Sequence, residues 1–188
     1  MQIKTLLFAA VLTFSAAAVK AQTPTPAGYT KGSITLADGT ITSGYIKDDI
    51  KKSASVIFIA NAGTNKQTYE GSQINGASID AATYICIKGD FFKSLAAGKL
   101  NFLQKSSNSS GKVSNNGSEP VFYSGTEGKI GDYFVYADNN LKLLNKKSLE
   151  AFINTDLISC ALAVEKAKSI NGDITKLQEA VEIYNKSN

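Results

Sequence analysis

The apolar pattern of this sequence changes its period once, near Leu141. Before that point, short alternating runs are separated by Gly, Asn and Asp, as in β-strands joined by turns. After it, apolar residues recur at helical spacing. Because no helical run lies between predicted strands, βαβ units are disfavoured. We therefore predict an α+β fold, with a mostly antiparallel curled sheet or partial barrel over residues 29–140 and a C-terminal three-helix cap over residues 141–188.

The individual elements follow from local signals. Asp38-Gly39 is a favoured two-residue hairpin turn between strands at 32–37 and 40–47, with a bulge expected at Ser43-Gly44. Further strands are predicted at 55–60, 67–70, 83–88, 91–95, 99–104, 121–123 and 130–137. A turn or a single helical turn is predicted at 72–76, and a turn at 138–140. Helices are predicted near 146–153, near 156–170 and from Ile174 onward, the last with Asp173 as its N-cap.

The first 21 residues have the three parts of a secretory signal peptide. Lys4 supplies the positive start, residues 6–18 form the apolar run, and Val19-Lys20-Ala21 precedes the cleavage point. The apolar run is shorter than the roughly 20 residues of a membrane-spanning helix. We expect a signal peptide over 1–21, a tether over 22–28 and a single domain over 29–188. The mature chain is expected to be soluble, without a transmembrane segment, in the periplasm or outside the cell.

Missing residue types exclude several kinds of chemistry. The sequence has no His, no Arg and no Trp, so all 20 basic side chains are Lys. Without His, Ser-His-Asp catalysis, Cys-His catalysis and zinc sites built on His are excluded. Removal of Lys4 and Lys20 with the signal lowers the net charge from +4 to +2, which gives no indication of nucleic-acid binding. We predict no catalytic residue, no metal and no cofactor.

Residues 106–119 differ from the rest of the β-rich part. They are almost all Ser, Asn, Gly and Lys, a composition that buries too little surface to offset the entropy of ordering. Structureless loops of this length are uncommon in compact domains and are usually functional or disordered. We predict a mobile loop and candidate contact element, with a passive insertion as the alternative. Its candidate contact residues are Ser106, Asn108, Lys112, Asn116 and Glu119.

Cys86 and Cys160 form a possible disulfide between the sheet and the second predicted helix. An oxidising compartment permits such a bridge, which would contribute about 4 kcal/mol in the chain-entropy model. Both cysteines have apolar sequence neighbours, which suits two buried free thiols equally well. The sequence leaves both alternatives open.

Aromatic residues are densest in the second half of the predicted sheet. Strand alternation turns part of Tyr123, Tyr133 and Tyr136 away from the other aromatics, so they either line a groove or lie under the helices. Asp132 shares an apolar face with Phe134, where a carboxylate either has a raised pKa or pairs with Lys. These four residues, Tyr123, Asp132, Tyr133 and Tyr136, form a candidate groove.

Both ends of the mature chain show a resemblance. The stretch 29–40 with its Asp-Gly turn, the return segment Gly44-Tyr45-Ile46-Lys47, and the tail segments 144–149 and 181–185 resemble exported proteins of unknown function from Bacteroidota. The resemblance implies export and a single domain, and it carries over no catalytic residue.

The leading functional hypothesis is an exported cell-envelope protein that acts as a non-catalytic binding or assembly module, with an envelope protein or a glycan as its partner. One alternative is a hydrolase that uses carboxylates alone, which requires two acids that converge in an apolar cleft. Another is a small barrel that carries an apolar ligand, which requires a continuous internal cavity.

The signal peptide gives the first testable prediction. We expect exported protein to begin at Gln22, because the small and branched residues before it match the cleavage pattern. Intact mass and N-terminal sequencing of exported material measure this directly. A mass that still includes residues 6–18 would contradict the soluble assignment.

Overall fold

The computed structural model describes residues 25–60, 65–111, 113–115, 120–122 and 124–187, so the predicted signal peptide lies outside the described residues. The strands are β1 (Thr30–Leu36), β2 (Ile41–Asp49), β3 (Ser55–Ile59), β4 (Gln67–Glu70), β5 (Ile74–Ile79), β6 (Ala82–Ile87), β7 (Asp90–Ala96), β8 (Asn101–Lys105), β9 (Val113–Asn115), β10 (Pro120–Phe122), β11 (Tyr133–Ala137) and β12 (Asn140–Leu144). The helices are α1 (Ile50–Ser53), α2 (Lys146–Thr155), α3 (Ala161–Ser169) and α4 (Gln178–Ser187), with a 3-10 turn at Ile174–Lys176.

One ten-stranded antiparallel sheet dominates the fold. Its strand order is β12-β11-β8-β7-β6-β5-β1-β2-β3-β4, and β9 and β10 pair separately as a two-stranded hairpin. Within the described residues the two outer strands, β12 and β4, do not pair with each other, so the sheet is not closed. The predicted α+β class, a mostly antiparallel sheet followed by C-terminal helices, is confirmed at this level.

The first hairpin forms where the sequence predicts it, but without the expected bulge. Gly39 has a φ of 86°, which an Asp-Gly turn allows, and the β1–β2 register runs unbroken through Ser33↔Ser43 and Gly32↔Gly44. The bulge predicted at Ser43-Gly44 is therefore wrong. A Cβ on Gly44 would collide with the Ile59 carbonyl oxygen, so this glycine permits close packing of β2 on β3.

Three strands, β5, β9 and β12, are missed by the sequence analysis, because turn-forming residues occupy them or adjoin them. β9 lies inside the stretch 106–119 that is predicted to be a loop. The predicted turn at 72–76 is wrong in its second half, since Ile74 begins β5. The predicted end of the β region at 138–140 is also wrong. Asp138 and Asn139 have φ values of 47° and 62°, and they form a two-residue turn that makes Asn140 the first residue of β12.

The half of the sheet formed by β1 to β6 bends back on itself. Gly71, directly after β4, forms an isolated antiparallel bridge with Gly89, between β6 and β7. A Cβ on Gly71 would collide with the Gly89 carbonyl oxygen and lie 3.0 Å from the Phe91 ring. The bend encloses the first apolar cluster, which consists of Ile34, Ile46, Ile50, Val56, Phe58, Ile74, Ala77, Ile79 and Phe91.

The C-terminal helices pack on the other half of the sheet through a second apolar cluster. Phe102 of β8, Val135 of β11 and Leu144 of β12 join it from the sheet, and Leu149 and Val181 are among its helical members. The helix predicted near 156–170 corresponds to α3, which begins later than predicted, at Ala161, because Cys160 has an extended backbone. Asp173 is an N-cap as predicted, but the element that follows it is the 3-10 turn.

The bridge between Gly71 and Gly89 gives the second prediction. We expect Gly71→Ala to lower the free energy of unfolding by about 1–3 kcal/mol, because the added methyl group must displace the Gly89 backbone. The neighbouring change Ser72→Ala serves as the control. The Ser72 hydroxyl is buried without a hydrogen-bond partner among the described residues, so its removal should be neutral or stabilising. Chemical denaturation of both variants measures this, and wild-type stability of Gly71→Ala would contradict it.

Candidate functional site

A buried ion pair lies where β7 begins and β8 ends. The Nζ atom of Lys105 is 3.1 Å from Oδ2 of Asp90, and both side chains are 0% exposed. The register pairs Phe92 with Lys105, which places the ion pair on the sheet face that also carries Phe92, Leu103 and Phe134. We call residues 106–132, which leave β8 here and return to β11, the β8–β11 connection.

The Asp90 carboxylate is bound from both ends of the β8–β11 connection. Its Oδ1 accepts a hydrogen bond from the Ser109 backbone N–H at 2.6 Å. Its Oδ2 accepts two from Thr126, one from the backbone N–H at 2.7 Å and one from the hydroxyl at 2.6 Å. Residues 17 positions apart in the chain are thereby joined at a single side chain.

The Lys105 ammonium is likewise fully occupied by this connection. It donates to the carbonyl oxygens of Thr126, Glu127 and Gly128 at 2.7, 3.1 and 3.3 Å, in addition to its contact with Asp90. An ammonium has three protons, and four acceptors surround it here. A buried, saturated pair of this kind is suited to holding backbone segments in place rather than to nucleophilic or acid–base chemistry.

The pKa of Asp90 shows the net effect of these contacts. Burial alone raises the pKa of the carboxyl group, but the hydrogen bonds from Thr126, Ser109 and Lys105 outweigh it and hold the pKa below its ordinary value. The ionised form is thus the stable form in the folded protein.

The first part of the predicted contact loop is fixed on the sheet. The Ser107 hydroxyl oxygen accepts a hydrogen bond from the Phe91 backbone N–H at 2.8 Å, and the Ser106 N–H donates to the Phe91 carbonyl oxygen at 2.8 Å. Ser107 and Ser109 are 0% and 3% exposed, so the prediction that this composition cannot be buried is wrong for these two residues. Asn108 between them is exposed.

The rest of that segment is described only in part. Val113–Asn115 and Pro120–Phe122 pair as the β9–β10 hairpin, with Val113 43% exposed. Three of the candidate contact residues, Lys112, Asn116 and Glu119, lie outside the described residues.

The residues of the candidate groove are not brought together. Tyr133 stacks on Phe102 with ring centroids 5.5 Å apart and packs against the second apolar cluster. Tyr136 packs on the opposite face of the sheet, and its hydroxyl donates a hydrogen bond to Oδ1 of Asn139 at 2.7 Å. The two tyrosines are three residues apart in a strand, so alternation separates them. Asp132 accepts a hydrogen bond from the Lys129 N–H at 2.7 Å. Tyr123 lies outside the described residues.

Both cysteines are free thiols in the structure, so the possible disulfide is not formed here. Cys86 packs against the first apolar cluster and Cys160 belongs to the second. Burial and the charge of Asp90 raise the pKa of Cys86. Contacts with the Ser187 hydroxyl and the backbone N–H groups of Ala163 and Leu162 lower the pKa of Cys160.

Acidic side chains line two surface clefts near the helices. A cleft of about 550 Å³ contains Asp132 and Asp173, and one of about 100 Å³ contains Asp138 and Asp156. Asp173 accepts from the Thr175 hydroxyl at 2.6 Å, and Asp156 pairs with Lys142 at 2.9 Å. These engaged carboxylates give the hydrolase alternative no support. The barrel alternative gains none either, since an apolar cluster occupies the interior of the bent half.

The functional residues that sequence analysis missed are Asp90 and Lys105. Each stands at a strand end, where a charged residue is ordinarily solvated. The one signal in the sequence is that Lys105 lies two residues after Leu103, which places it on the same face as a core residue.

Comparison with protein-family models, curated proteins and solved structures finds no match for this chain. Across the part of the chain that the structure describes, no group of three or more Cys, Asp or Glu side chains is arranged to hold a metal ion. No helix among the described residues combines the length and apolar composition needed to cross a membrane.

The hydrogen bonds and the ion pair made by the Asp90 carboxylate give the third prediction. We expect Asp90→Asn to cost about 3–5 kcal/mol at neutral pH, because Lys105 is left as a buried, uncompensated charge. Since the folded-state pKa of Asp90 lies below the unfolded value, its contribution is present above about pH 4 and is lost as the pH falls through the folded-state pKa. The difference between variant and wild type should therefore shrink in acid.

Denaturation curves over a pH series measure this effect. The matched control is Asp156→Asn, which breaks the partly exposed pair with Lys142 and should cost less than about 1 kcal/mol. Equal losses for the two variants at neutral pH would show that the buried pair does not hold the β8–β11 connection.

Proposed function

We propose that the chain is an exported, non-catalytic binding or assembly module of the cell envelope, and that it meets its partner through the β8–β11 connection. Export is supported by the signal-peptide pattern of residues 1–21 and by the resemblance to exported Bacteroidota proteins. The partner is an envelope protein or a glycan. The C-terminal helices serve as a cap on the open sheet, within a single domain over residues 29–188.

One observation carries the proposal. The Asp90–Lys105 pair binds Ser109 before the β9–β10 hairpin and Thr126 after it, so both stems of the hairpin are held at one point of a rigid sheet. Binding loops positioned by a rigid scaffold lose less conformational freedom on association. A hairpin on fixed stems is therefore suited to partner contact, and its Val113 is 43% exposed.

An exposed apolar residue on the hairpin provides the fourth prediction. Val113 of β9 is 43% exposed, and Ile41 of β2 is 68% exposed on a strand outside the connection. We expect Val113→Ser to weaken saturable binding to the envelope fraction of the exporting cells by about tenfold, because apolar contact area is lost at the interface. Ile41→Ser should bind like wild type.

The measurement is a binding isotherm of purified mature protein on that envelope fraction, with thermal unfolding to confirm that both variants fold. Equal binding by Val113→Ser and wild type, or weaker binding by Ile41→Ser alone, would contradict a partner contact at the hairpin.

A further inference from the structure

A row of aromatic and polar side chains crosses the sheet between the first and the second apolar cluster. Tyr84 of β6 lies opposite Lys93 of β7, Lys93 opposite Gln104 of β8, and Gln104 opposite Tyr133 of β11. Directly opposed residues share a face, and neighbouring strands lie about 4.8 Å apart, so the row extends roughly 14 Å. We call these four residues the cross-strand row. They occupy the face opposite to the Asp90–Lys105 pair.

Two adjoining clefts are lined by three of the four members of the cross-strand row; Lys93 lines neither cleft. One of about 220 Å³ is lined by Tyr84 and Gln104 together with Asp48. The other, of about 550 Å³, is lined by Tyr133. Gly131 lines both clefts, so they meet at the end of the β8–β11 connection. The row thus has room above it at both ends.

The polar ends of the cross-strand row are available. Within the described residues, no protein group hydrogen-bonds the Lys93 ammonium or the hydroxyls of Tyr84 and Tyr133. The Gln104 amide donates to the Gly131 carbonyl oxygen at 3.2 Å, which leaves its own carbonyl oxygen as an acceptor. The row therefore offers donors and an acceptor side by side.

Charge and rigidity narrow the class of ligand. Each cleft is lined by both acidic and basic side chains, Asp48 and Lys51 in one and Asp132, Asp173 and Lys146 in the other, so neither cleft selects strongly for an ion. The Tyr133 ring is fixed by stacking on Phe102, with ring planes 14° apart. Fixed aromatic rings with polar ends suit an extended neutral ligand that has apolar faces and many hydroxyl groups.

We propose that the cross-strand row binds a neutral oligosaccharide. Sugar hydroxyls pair with the Lys93 ammonium, the Gln104 carbonyl oxygen and the tyrosine hydroxyls, and the apolar C–H faces of the sugar rings pack on Tyr84 and Tyr133. Ser106, Gly131 and Asp132 of the β8–β11 connection line the two clefts, but the cross-strand row does not include the β9–β10 hairpin. The inference therefore goes beyond the proposed hairpin contact and does not depend on it.

The test is calorimetric titration of the purified mature protein with cellohexaose, maltohexaose and chitohexaose. We expect saturable binding of at least one of the three sugars. Lys93→Ala should weaken that binding at least about tenfold, because a charged donor is lost. Tyr84→Phe should weaken it by a smaller factor, since only the hydroxyl group is removed. The matched control is Lys99→Ala, an exposed lysine in the turn between β7 and β8, which should bind like wild type.

Each remaining outcome overturns the inference. No binding of any of the three sugars at millimolar concentration excludes the site, and equal affinity of Lys93→Ala and wild type places binding elsewhere. Tighter binding of oligogalacturonate, or of a polyglutamate peptide, shows an anion site instead. Val113→Ser should retain sugar binding, which separates failure of this inference from failure of the proposed role of the hairpin.

Discussion

One buried ion pair binds both ends of the β8–β11 connection, at Ser109 and at residues 126–128. Burying Asp90 and Lys105 together costs several kcal/mol of desolvation, which is recovered only when further hydrogen bonds satisfy both groups. Nearly all of those bonds come from the connection itself, through Ser109 and residues 126–128. The buried pair and the ends of the connection that bind it therefore stabilise each other.

The sequence predicts the fold well where its signals are local. Alternation and the Asp38-Gly39 turn locate the first hairpin, and helical spacing locates α2 and α4. The sequence-based prediction fails where a residue typical of turns occupies a strand instead. Asn140 follows two turn residues yet begins β12, and Gly44 marks a close strand approach instead of a bulge. Such choices are decided by packing partners distant in sequence.

The candidate site is harder to predict for the same reason. Ser107 and Ser109 belong to a segment whose composition indicates disorder, because local composition carries no information about a distant acceptor. Their burial is possible since Ser107 accepts from the Phe91 N–H and the Ser109 N–H meets the Asp90 carboxylate. Asp90 could not be ranked above the other acids from sequence, because its position in the fold sets its role.

Strand alternation then gives the two faces of β7 different roles. Phe92 points to the face covered by the β8–β11 connection, so its neighbours are Lys105 and the apolar side chains Leu103 and Phe134. Lys93, one residue later, points to the opposite face of the sheet. It belongs to neither the first nor the second apolar cluster on that face, and it is exposed. Both roles depend on one register, since a shift by one residue would bury Lys93 and expose Phe92. The buried pair, which ties β7 to β8 and to the connection, therefore also stabilises the register that sets out the cross-strand row.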